Sequence, residues 1–163
     1  MQQTIWAQYA RYNRLANDAL CAACAELSEE EYRRDLGAFF GSIHGTLNHL
    51  LLGDRIWMAR FEGGTHPSTD LDAILFETFE GLRLERETMD RRIEAFFGTV
   101  DAGFLGRSLA YTNNQGRDYV ETAPVAVGHF FNHQTHHRGQ VHVMLSQTSV
   151  APPSLDLHRI VNP

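Results

Sequence analysis

"LFETFEGLRLERETMDRRIEAFF", residues 75–97, decides the fold. Leu75, Leu82, Met89 and Phe96 recur every seven residues, with Phe79 and Ile93 between them. An α-helix turns about 100° per residue, so such a repeat keeps one apolar stripe facing one way. This is the spacing of a helix whose inner face meets neighbours in a left-handed bundle. Upstream, Thr69 has N-cap chemistry, and Asp72 follows three residues later in the manner of a capping box. The pattern predicts a helix opening at Thr69.

Three further segments carry helical periodicity. Ile5, Tyr9, Tyr12, Ala16, Ala19 and Ala23 alternate steps of four and three, which predicts a helix from Thr4 to Leu27, ended by the polar run "LSEEEY". A second helix is expected from Ser42 to Phe61, where "EGG" stops it; Ile43, Leu47, Leu50, Trp57 and Phe61 form its core stripe. Asp54 interrupts that stripe and needs a partner if buried. "RSLAYTNNQGRDYVET" has two short alternating runs around Asn-Asn-Gln-Gly, the signature of a hairpin. Thr122 can then cap a last helix, with Pro124 in its first turn and its end near Gln147. The expected fold is all-α: a four-helix bundle with a small β-hairpin before the last helix, in one domain spanning residues 1–163.

Composition narrows the function. The chain has 163 residues, 43% hydrophobic and 21% charged, with a formal charge of −6. All 14 basic residues are arginine, so neither Schiff-base chemistry on lysine nor a P-loop lysine is available. The acidic balance argues against nucleic acid as a partner, since that binding draws on a dense basic face. Arg33-Arg34 and Arg91-Arg92 sit among acidic residues and read as solvated helix faces. No stretch nears the roughly 18 apolar residues of a membrane span, and the opening residues lack the layout of a signal peptide, so a cytoplasmic address is expected. Cys21 and Cys24 form a C-x-x-C in an alanine-rich helical stretch with no second pair, and read as small buried residues. No G-x-S-x-G elbow is present.

The histidines are the chemical signal. Five of nine fall within "HFFNHQTHHRGQVH", residues 129–142. On a helix His129, His133 and His137 step by four, so neighbours in the series share a face roughly 6 Å apart. One turn spaces two imidazoles to share an ion, and a third ligand must come from elsewhere. The second helix offers His44 and His49, which point about 140° apart and cannot both serve. His44 lies at the helix start, where exposure is expected. His49 has Thr46 and Gly53 on either side and is the better choice. Which histidines of the last helix join it stays open on spacing alone.

"SIHGTLNHLLLGDRIWMARFEGG" together with "HFFNHQTHHRGQVHVMLSQ" resembles the DinB family, the DinB/YfiT-like four-helix bundles. The paired H-L-L-x-x-D-x-x-W and N-H-x-x-H-H-R-G-Q stretches carry the likeness, which extends from "ARYNRLAND" to "PPSLDL". The resemblance implies a divalent ion held by three histidines, here His49, His133 and His137. The family's name refers to induction by DNA damage and implies no contact with DNA.

Three neutral imidazoles leave an ion its full charge and an open position. That suits a metal-dependent hydrolase or, from the wider superfamily's likeness to thiol-dependent transferases, a thiol S-transferase acting on a small molecule. A non-catalytic metal-binding or stress-response module is the alternative, and a fourth protein ligand would favour it. Imidazole ligands rank zinc first and nickel next. Asp54, Gln140, His136 and Arg60 are candidates to orient a ligand or meet substrate, Arg60 lying too far along its helix to touch the ion; His129 has a weaker claim. Gly139 is expected to permit close helix approach. Phe76, off the main stripe of its helix, suggests a homodimer face.

Overall fold

A computed structural model describes residues 4–67 and 69–162. In chain order the elements are α1 (Ile5–Cys24), α2 (Glu29–Arg33), α3 (Ile43–Phe61), α4 (Phe79–Phe97), α5 (Ala102–Leu105), β1 (Ser108–Thr112), β2 (Asp118–Thr122), α6 (Ala123–Leu145) and α7 (Leu157–Val161). Hydroxyl caps start three of the long helices: Thr4 accepts from the Ala7 N–H, Ser42 from Gly45 and Thr78 from Gly81. Thr122 takes the cap position of α6 without a hydroxyl bond. Instead the Ala123 N–H donates to the Arg107 carbonyl at 2.9 Å, and Pro124 occupies the first turn, where it forfeits no intrahelical bond.

The long helices pack in a closed circuit, α1 on α4 and α6, and α3 on the same two. Phe61, Phe97, Phe104 and Phe130 anchor one end of the core; Leu20, Leu50, Leu82 and Leu145 anchor the other. Between these ends each long helix contributes polar side chains to a buried layer: Asn13 and Asn17, Asp54, Arg86 and Asp90, Gln134 and Arg138. Arg86 donates to both Asp90 oxygens, at 2.8 and 3.1 Å, and its Nη1 makes a 2.6 Å charge contact with Asp54 Oδ2. Gln134 donates to Asp54, Asn17 to Asp90, and Arg138 to Asn13. Two carboxylates and two guanidiniums balance in charge. Each helix therefore loses a partner if it slides or rotates, which fixes the register of the faces that carry the histidines.

β1 and β2 form an antiparallel pair with Tyr111 opposite Tyr119. Their turn is held by Asn113 Oδ1, which accepts from the Gln115 and Arg117 N–H groups, and by Gly116 at φ 75°, a region a side chain would strain.

Several expectations need correction. The helix expected from Thr69 starts at Phe79, capped by Thr78. Asn48 explains the difference. Its Oδ1 accepts the Leu75 and Phe76 N–H groups at 2.9 and 3.0 Å, and its amide donates to the Phe76 carbonyl at 3.3 Å. Those backbone groups are thus committed to α3 and cannot close helical turns. Phe76 consequently lies outside any helix, half-buried against both ends of the core, so the helix face proposed for self-association does not exist in that form. "LSEEEY" does more than end α1: Ser28 and Glu31 make a reciprocal capping box that starts α2. On α1 the buried face includes Asn13 and Asn17, which the polar layer draws inward, and Ile5 is left 56% exposed.

Candidate metal centre

His49, two turns into α3, projects toward α6, where His133 and His137 stand one turn apart. One ring nitrogen from each lies within 4.8 Å of the other two. His49 Nε2 and His133 Nε2 are 3.1 Å apart. Two nitrogens bound at 2.0–2.1 Å to one tetrahedral zinc ion would be about 3.3 Å apart, so the spacing already suits a shared ion.

The outward nitrogens are tied back. His49 Nδ1 lies 2.8 Å from the Leu71 carbonyl, an acceptor only, so Nδ1 carries the proton and Nε2 turns its lone pair inward. His137 Nδ1 meets Gln140 Oε1 at 2.7 Å in the same way. Burial holds all three rings neutral. It is the main cause lowering His49, and it brings His133 to about 3, helped by the neighbouring imidazoles, and His137 to about 4, against the opposing pull of Gln140. Two facing lone pairs repel unless a proton or a cation lies between them, and these rings resist the proton. The residues fit a divalent ion.

Local packing explains how the rings reach these positions. Gly53 is one turn along α3 from His49, and a β-carbon there would sit 2.9 Å from His133 Cε1. Its bare α-carbon is what lets the His133 ring lie between the helices. Phe40 stacks on His49, centroids 3.9 Å apart, and closes its other side. Gly45 permits this, since a β-carbon there would overlap the Phe40 carbonyl oxygen. The close-approach role expected of Gly139 falls to these glycines; Gly139 itself faces open space.

The other candidates separate cleanly. Gln140 touches a cluster histidine. His136 packs edge-on against His137 at 4.8 Å and meets the Gln140 amide at 3.4 Å, outside the cluster. Asp54 turns away into the polar layer, where burial pushes its carboxyl up to about 6 against the pull of Arg86. Arg60 lies over the rings of Tyr111 and Trp57. His129 packs against Trp57 one turn before His133. His44 is buried rather than exposed, because Tyr32 of α2 packs edge-on over it. Cys21 and Cys24 are free, buried thiols whose pKa burial raises, Cys21 to about 12, which keeps both protonated at neutral pH.

Among the described residues no fourth histidine, cysteine or carboxylate joins the three imidazoles. A cavity of about 420 Å³ opens beside His49 and His133, walled by α3, the β1–β2 hairpin and Leu71. Sequence reasoning missed Leu71, Asn48, Arg86 and Arg138. The Arg86/Asp90 spacing on the apolar stripe of α4 was the one visible signal.

Fold and site define a helical protein with a three-imidazole cluster positioned to hold a divalent cation. The DinB family model matches residues 1–162, and the chain belongs to the DinB family. It is 28% identical over 151 residues to Protein DinB of Bacillus subtilis (strain 168), covering 89% of this chain and 87% of that protein.

Proposed function

We propose that this protein is a metal-dependent enzyme acting on a small molecule, built as a single four-helix-bundle domain, with His49, His133 and His137 as the ligands of one divalent ion. Zinc is the first choice and nickel the second, on the preference of imidazole nitrogen. When bound, such an ion supplies Lewis-acid chemistry, activating water for hydrolysis or holding a thiol as its thiolate for transfer. The chain's own part is positional. Leu71 and Gln140 fix two imidazole tautomers, Phe40 keeps water from one face of His49, and the buried polar layer holds α3 and α6 in register.

One observation carries this reading: among the described residues a cluster of three imidazoles, with no fourth metal-ligating side chain, opens onto a cavity large enough for a small ligand. A purely structural site closes its ion with a fourth side chain. The test is a screen of zinc-loaded protein against activated esters and amides, and against small electrophiles with a thiol donor. The expected result is turnover that a chelator abolishes, zinc restores, and His49→Ala and His137→Ala both eliminate. Inertness toward every class, with no exogenous ligand entering the coordination sphere of the cobalt-substituted protein, would instead identify a binding module.

A further inference from the structure

The cavity beside the histidines differs in charge from the rest of the chain. The protein carries 20 acidic residues against 14 arginines, yet no aspartate or glutamate is among the described residues that line this space. Its walls are aromatic and apolar (Trp57, Tyr111, Tyr119, Ile56, Leu71) or amide-bearing, at Asn113 to Gln115. Its one formal charge is Arg60.

Arg60 is held in place without a counter-charge. Its guanidinium carbon lies 4.0 Å from the Tyr111 ring centroid and 4.6 Å from that of Trp57. Among the described residues its one hydrogen bond is a long one, 3.4 Å, to the Thr112 carbonyl, and no carboxylate comes within ion-pair reach. Arg55 on α3 and Arg92 on α4, by contrast, are paired with Glu85 and Glu62. The stacking rings fix the plane of the guanidinium while leaving N–H donors free, which suits two-point recognition of a carboxylate. Desolvation pulls the Arg60 pKa down, as befits a partly buried cation lacking an acid.

We propose that the substrate is a small carboxylate-bearing molecule with an apolar body, its carboxylate paired with Arg60 while its far end reaches the ion held by the histidines. The inference rests on the metal reading above and adds the substrate class to it. Geometry sets the length of the molecule. His49 and Arg60 are eleven residues apart on α3, about 16 Å along the axis. The long Arg60 side chain lays its guanidinium over Trp57, one turn back toward the cluster, which leaves a span on the order of 10 Å. Trp57, Ile56 and His129 line that span and would contact the body between its two ends. The hairpin acquires a purpose in this arrangement, because Tyr111 is the ring on which Arg60 rests.

The test uses full-length, zinc-loaded protein and two probes of equal shape: suberic acid monohydroxamate, whose hydroxamate seeks the ion, and its terminal primary amide. Calorimetry is expected to show the acid binding at least about tenfold more tightly than the amide, the effect of a charge-assisted bidentate pair. Arg60→Gln should remove that preference by weakening the acid alone, and Arg60→Lys should keep part of it. An unchanged cobalt spectrum in each variant shows that the cluster is intact. Equal affinities for acid and amide, or a preference that survives Arg60→Gln, overturns the carboxylate assignment and leaves the metal reading standing. Failure of both probes to bind, or equal binding to metal-free protein, overturns the two together.

Discussion

His133 lays its imidazole against the bare α-carbon of Gly53, so closely that a β-carbon at residue 53 would stand 2.9 Å from Cε1. The obstacle would be a ring that can tilt away, so the helix survives the change but the ring leaves its place beside His49. Gly53→Ala should therefore weaken zinc binding by about ten- to a hundredfold, the scale of lost ligand orientation. The melting temperature of the metal-free protein should hold or rise, because alanine favours a helix over glycine by about 1 kcal/mol. Competition with a chromophoric chelator and paired thermal melts separate the two effects. Unchanged affinity would show that His133 needs no such room.

Asn48 is the hinge pin between α3 and the segment over the site. Asn48→Ala strands the Leu75 and Phe76 N–H groups and the Phe76 carbonyl. Leaving such groups unpaired should cost about 1–3 kcal/mol in urea unfolding. The same change loosens Leu71, so zinc affinity should fall although no ligand is altered. A destabilised variant with full affinity would mean that the Leu71 carbonyl does not orient His49.

Metal-free protein should lose stability as the pH falls from about 6.5. The unfolded chain takes up protons there, while folded His133 and His137 decline them until about 3 and 4. The unfolded state binds more protons across that window, so stability rises with pH by about 1.4 kcal/mol per unit for each proton of difference. Asp54, between 3.8 and about 6, and Asp90 act the other way, being easier to protonate when folded, while His44, His49 and His129 are lowered and add to the effect of His133 and His137. Urea unfolding from pH 7.5 to 4.5 should show the decline, and His133→Leu should flatten it. An identical slope in that variant would contradict the assignment.

The buried polar layer supplies a prediction about stability alone. Arg86→Met leaves Asp54 and Asp90 facing each other's charge inside the protein, with Arg138 as the remaining cation. Removing one partner of a buried ion pair costs about 3–5 kcal/mol. The loss should appear in the urea midpoint; a change below about 1 kcal/mol would mean that the layer is not a charged network.

These relationships show where sequence reasoning reaches and where it stops. That neighbours in the series His129, His133 and His137 could share an ion was visible from helix geometry, whereas the choice of His133 and His137 came from the likeness to the DinB family and not from spacing. The hairpin and the core stripe of α3 were visible for the same local reason. Leu71 was not, since a backbone carbonyl acting on a side chain leaves no mark in residue type. The apparent cap at Thr69 even pointed the other way, because nothing local reveals that Asn48 claims the Leu75 and Phe76 N–H groups. Arg86 and Asp90 stand four apart, as exposed helical ion pairs do, and only their place on the apolar stripe hinted at burial. Arg60 is the intermediate case: its helix was legible, but its bed on Tyr111 depends on a hairpin returning from fifty residues away.

The central claim is that imidazoles from α3 and α6 hold one ion and leave part of it free. X-ray absorption on zinc-loaded, tag-free protein tests it most directly. The account predicts one ion per chain with three imidazole nitrogens at about 2.0–2.1 Å and at least one exchangeable oxygen, losing an imidazole in His49→Ala. Sulfur in the coordination shell, a fourth protein ligand, or a protein that takes up no zinc would contradict it.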